Sequence, residues 1–158
     1  NKLGMKKYFL ILLTFMSLLM CTASSCNKED NTLITENKTP MANGKIKIKI
    51  GSQTFTTTLL DNNSAKAFKE MLPLTLNMTE LNGNEKYYNF TNSLPIHSSN
   101  PGTIKNGDLM LYGRNTLVLF YEIFSTSYNY TKLGSVDVIT GFASALGSEN
   151  VTVTFELE

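Results

Sequence analysis

His97 is the only histidine in this chain and Arg114 the only arginine, and two cysteines, Cys21 and Cys26, complete a short supply of reactive side chains. A Ser-His-Asp arrangement would have to use His97, which stands between Pro95 and Pro101 with no motif around it. His97 therefore reads as a surface residue. Structural zinc needs several Cys or His ligands, and the segment that folds holds one histidine and no cysteine. No glycine-rich loop precedes a helix pattern to cradle phosphate. Asp108, after Asn106-Gly107, has the setting of a turn acid, and Arg114 that of a solvated turn cation. No catalytic residue, metal or cofactor is assigned.

The positive signal is aromatic. Tyr87, Tyr88, Phe90, Tyr112, Phe120, Tyr121, Phe124, Tyr128 and Tyr130 crowd onto neighbouring segments. Most of them suit a core, since β-structures use aromatic cross-strand pairs. Tyr128 and Tyr130 belong to a polar loop and are expected to be partly exposed. A groove bordered by Tyr88, Phe90, Tyr128 and Tyr130 would hold an extended peptide or a small apolar ligand. The competing reading of the same residues is packing alone.

These residues need a scaffold, and the stretch from Gly107 to Phe124 supplies its centre. It reads as two strands folded on Gly113-Arg114-Asn115, each too continuously hydrophobic to face water on both sides. Lys45 to Ile50 alternates strictly, with three isoleucines on one face and three lysines on the other. Gly51-Ser52 turns the chain, and Thr54 to Leu60 returns beside it. Asp61 to Ser64 offers N-caps for a short helix over 65–72, which Pro73 stops. Strands follow at Leu74 to Met78 and at Lys86 to Phe90, then a loop from Thr91 to Gly102. After the central hairpin come a loop over Ser125 to Tyr130, a strand over Lys132 to Val136, a helix over 140–146 ended by Gly147, and a last strand from Val151 to Leu157. About eight strands and two short helices predict a mainly β domain over 45–158, an eight-stranded closed or nearly closed barrel that hides its edges.

The N-terminus reads as an address. Met5-Lys6-Lys7 supplies a start with two positive charges, and Tyr8 to Met20 is apolar apart from Thr14 and Ser17. Such a run spans roughly 20 Å as a helix, short of a ~30 Å hydrocarbon core, so segment 1–25 is expected to be a signal peptide. Ala23-Ser24-Ser25-Cys26 resembles the lipobox of bacterial lipoproteins, which implies lipidation of Cys26 and anchoring to a membrane. Residues 26–44 then form a polar tether of about 20–25 Å. Asn27-Lys28-Glu29-Asp30 resembles a surface-export signal of Gram-negative lipoproteins, implying an outer-membrane protein, surface-exposed or periplasmic.

Charge excludes one class of partner. Removal of Lys2, Lys6 and Lys7 takes 14 basic residues to 11, against 13 acidic ones. Nucleic-acid binding needs a basic stripe that this chain lacks.

Three segments carry a family resemblance: Asn82 to Tyr88, Gly102 to Gly113 and Leu117 to Tyr121. With Ser125 to Tyr128, Ala145 to Ser148 and the ending Val151 to Leu157, they resemble the bacterial cyclophilin-like family, over roughly Gly44 to Glu158. The resemblance implies a small stand-alone barrel related in fold to prolyl isomerases. True cyclophilins carry an arginine in a Phe-His-Arg strand, and the matching strand here is Lys86-Tyr87-Tyr88-Asn89-Phe90, without one. The chain also has no tryptophan, and Tyr130 falls where a cyclophilin places a pocket histidine. The expectation is a lipid-anchored, monomeric binding module for a peptide or small ligand, without catalysis. The alternatives are an isomerase of weak or altered activity on envelope proteins and a structural envelope component with no pocket.

Overall fold

The computed structural model describes residues 39–158. The expected signal segment 1–25, the lipidation site Cys26 and the tether up to residue 38 lie outside the described residues. Strand β1 (Pro40–Ile50) begins five residues before the alternating run that predicts it, because Pro40 already pairs with Leu60 across a register irregularity. Residues 40–44, expected in the tether, therefore belong to the sheet.

Strands β1, β2 (Gln53–Leu60), β3 (Leu74–Leu81), β4 (Glu85–Asn89), β6 (Asp108–Tyr112), β7 (Thr116–Phe120), β9 (Tyr130–Val136) and β10 (Val151–Leu157) close into one barrel in the order β1-β10-β3-β4-β7-β6-β9-β2. Every pairing is antiparallel. Closure leaves no free edge, which short alternating strands otherwise expose. Two further short strands, β5 (Thr103–Ile104) and β8 (Phe124–Ser125), pair outside the barrel.

Alternation decides what fills the interior. Ile46, Ile48 and Ile50 face inward beside Phe155, Val153 and Phe55, while Lys45 and Lys49 on the opposite face are exposed. Helix α1 (Asn63–Glu70) starts two residues earlier than expected, since the Asn62 side chain caps it by accepting from the Ala65 N–H at 2.8 Å. It sends Phe68 into the barrel, edge-on to Phe155 at 5.5 Å. Helix α2 (Phe142–Leu146) adds Phe142, 5.1 Å from Phe55.

The hairpin of β6 and β7 turns on Gly113-Arg114-Asn115 as expected and is buried on both faces. Leu109, Leu111, Leu117 and Leu119 point into the barrel. Met110, Val118 and Phe120 point out, into a second apolar cluster with Ile104 and Tyr130. The β5–β8 pair lies over that outer cluster through Ile104 and Phe124. A strand covered on both sides has no polar face to show, so its sequence runs hydrophobic without a break.

Candidate functional site: an aromatic groove on the outer barrel face

On β4, Glu85 and Tyr87 share one face and Lys86 and Tyr88 the other. Register makes the assignment: Tyr87 stands opposite Val118 of the outer cluster, and Tyr88 opposite Leu117 of the interior. Tyr112, at the end of β6, stands opposite both Thr116 and Tyr130 on the outer face. Tyr87, Tyr112, Thr116, Val118 and Tyr130 floor a groove of about 480 Å³. One wall is the β3–β4 turn with Asn82, Asn84 and Glu85, and the other runs from Phe124 to Tyr128. The Tyr112 ring lies 5.6 Å from Tyr130 and 6.0 Å, edge-on, from Tyr128.

Of the four residues expected to border a groove, Tyr128 and Tyr130 line it, and Tyr88 and Phe90 do not. Tyr88 and Phe90 pack edge-on against each other at 5.5 Å, on the side of the interior cluster. They share parity with Lys86, and a groove bordered by them would need that parity outside, where a lysine ordinarily sits. Here Lys86 is turned fully inward. Its ammonium donates to the carbonyls of Gly147 at 2.8 Å and Glu149 at 2.7 Å and pairs with the Glu80 carboxylate, its register partner on β3. A buried lysine satisfied this way is uncommon, and it reverses which tyrosine meets solvent. Glu85 and Tyr87 line the groove from the other parity of β4, and Tyr112 and Phe124, expected in the core, line it as well.

The loop wall is fixed by hydrogen bonds. Ser99 and Tyr130 exchange backbone hydrogen bonds at 3.0 and 2.9 Å, the Thr126 N–H donates to the Gly102 carbonyl at 3.0 Å, and the Thr126 hydroxyl accepts from the Tyr128 N–H at 3.1 Å. Tyr130, expected in the loop, is the first residue of β9, and Phe124–Ser125 forms β8. Tyr128 stays 61% exposed while Tyr130 is buried. Burial pushes the Tyr130 phenol up, and the nearby Glu85 carboxylate adds to the shift. Glu85 is itself raised, first by burial and then by the negative charge of Glu80.

A second depression of about 590 Å³ lies on the other side of Tyr130. Asp108 sits there, pairing with Lys132 at 2.7 Å and accepting from the Lys105 N–H at 2.9 Å, as a turn acid does. His97 is exposed, its backbone N–H donating to the Thr131 hydroxyl at 3.0 Å, and Arg114 is exposed in the β6–β7 turn. Neither lines the groove. Among the described residues no three His, Cys, Asp or Glu side chains come together to hold a metal ion.

Residues 48–156 match the model of the Cyclophilin-like family. No curated protein matches the sequence. Among solved structures, a hypothetical protein from Archaeoglobus fulgidus, known in solution, has a similar fold with a TM-score of 0.54 at 12% identity. The match covers 72% of this chain and 94% of that one.

Proposed function

The chain belongs to the Cyclophilin-like family, and we propose that its barrel is a non-catalytic binding module that holds an extended peptide in the tyrosine-lined groove. One observation carries the reading: Tyr87, Tyr112, Tyr128 and Tyr130 converge in an open groove whose lining contains no arginine. Prolyl isomerisation has to lower a barrier of about 18–20 kcal/mol, chiefly by electrostatic stabilisation of the twisted amide. Tyrosine rings supply contact area and hydrogen-bonding tips at little entropic cost, which favours holding a chain over twisting it.

The N-terminal reading completes the proposal: lipidation at Cys26 would tether the domain to a bacterial outer membrane, facing the surface or the periplasm. Cys26→Ala is then expected to move the protein from the membrane to the soluble fraction. Titration with capped, proline-containing hexapeptides, followed by NMR, tests the groove. Shifts should gather at Tyr87, Tyr112, Tyr128 and Tyr130, with no faster cis–trans exchange in the peptide. Isomerisation at a rate comparable to a cyclophilin's, lost on Tyr130→Ala, would overturn the non-catalytic reading.

A further inference from the structure

Among the described residues Glu85 is the one carboxylic acid that lines the groove, and no lysine, arginine or histidine lines it with Glu85. Among the described residues its carboxylate has no salt-bridge partner. The neighbouring Lys86, the natural candidate, is turned inside to Glu80. Glu85 and Tyr87 share the outer face of β4, and the Glu85 charge reaches Tyr130, as do the phenols of Tyr112 and Tyr128. A half-buried, unpaired carboxylate thus stands before several tyrosine rings. Removal of water from a carboxylate without a partner is unfavourable, and burial accordingly raises its proton affinity. A bound cation reverses that cost, and the negative faces of the rings add to its attraction.

Resting on the peptide-binding reading, we propose that the groove selects a peptide carrying an arginine, whose guanidinium stacks on the tyrosine rings and pairs with Glu85. A guanidinium fits better than an ammonium because it is planar, is more weakly hydrated, and offers two parallel N–H groups to one carboxylate while its face lies on a ring. The lysines near the site, Lys105 and Lys132, line the other depression and leave this wall to the ligand's charge.

The test uses the full-length chain and capped alanine–proline hexapeptides that differ at one position: arginine, lysine or citrulline, the last being uncharged and close in shape to arginine. The arginine peptide should bind about tenfold tighter than the citrulline peptide. In Glu85→Gln the two should bind alike. Binding of the arginine peptide should tighten between about pH 4 and about pH 7 as Glu85 ionises, while the citrulline peptide is indifferent to pH. Equal affinities in the wild-type chain, with both lost on Tyr128→Ala, would overturn the cation inference and leave the groove standing. Failure of every peptide to bind would overturn the groove itself. Lysine binding as tightly as arginine would overturn the choice of guanidinium.

Discussion

Lys86 Nζ lies 5.2 Å from the centre of the Tyr121 ring, and both residues donate to the same oxygen of Glu80. Three side chains from three strands or strand ends thereby close one end of the barrel, with the Gly147 and Glu149 carbonyls completing the lysine's shell. Breaking such a group from one side leaves a charge without its partner, which costs more than the intact group contributes. Lys86→Met should destabilise the domain by about 3 kcal/mol, the low end for a broken buried pair because Glu80 keeps some contact with water. Urea unfolding measures it. The double variant Lys86→Met with Glu80→Gln should recover part of the loss, and a midpoint unchanged by the single substitution would refute this account.

The same group predicts the acid limb of stability. Burial by itself would raise the Glu80 carboxyl, but hydrogen bonds from Lys86, Tyr121 and the Gly83 N–H outweigh it and hold the carboxyl below its ordinary range. A carboxyl depressed in the native state contributes stability that is present above the unfolded value of about 4.3 and disappears as pH falls through the native value. Thermal midpoints should therefore drop below about pH 4, and Glu80→Gln should flatten part of that drop. Asp137, depressed by its bonds to Lys45 and Thr58 against the effect of burial, keeps the remainder of the slope.

Glu85 carries the opposite sign. Its carboxyl is raised in the native state by burial and by Glu80, so its contribution is full at low pH and is lost as pH rises through the native value. Glu85→Gln should then stabilise the domain at neutral pH, by less than about 1 kcal/mol for a half-exposed group. A carboxylate that costs stability where it stands is what a binding residue shows when its partner is absent. A loss of stability at pH 7 in this variant, read by the same urea titration, would argue that Glu85 is a structural residue.

Most of the barrel is legible from the alternation of its strands, because Lys45 to Ile50 and Val151 to Leu157 each have one wet face. The double-sided burial of Leu109 to Leu111 and Leu117 to Phe120 is legible from their unbroken hydrophobicity. Facing on β4 is not. Lys86-Tyr87-Tyr88 alternates equally well in either parity, and it takes the Glu80 carboxylate together with the carbonyls of a loop some sixty residues away to hold the lysine inside. Half of the candidate groove hung on that decision. The prediction from parity is direct: Tyr88→Ala should cost about 2–4 kcal/mol by opening a hole beside Phe90 and Leu117. Tyr128→Ala, at an exposed loop position, should change stability by less than about 0.5 kcal/mol and show its effect in peptide titration.

Gly134 faces the β2 backbone where the barrel closes. It stands opposite Leu59 on one side and Leu109 on the other, beside the irregular step of β9. A Cβ at this position would run into the Thr58 carbonyl oxygen and come within 3.0 Å of the Leu59 Cα, both parts of the backbone. Backbone has no rotamer through which to move aside, so β2 and β9 would have to separate. Gly134→Ala should therefore cost about 2–3 kcal/mol. Gly113 serves as the contrast: its φ is +59°, yet nothing lies within 4 Å of where its Cβ would be. Gly113→Asn, a residue that tolerates the left-handed region, should fall within about 0.5 kcal/mol of wild type. If the two variants unfold at the same urea concentration, close approach of β2 and β9 is not what requires glycine at position 134.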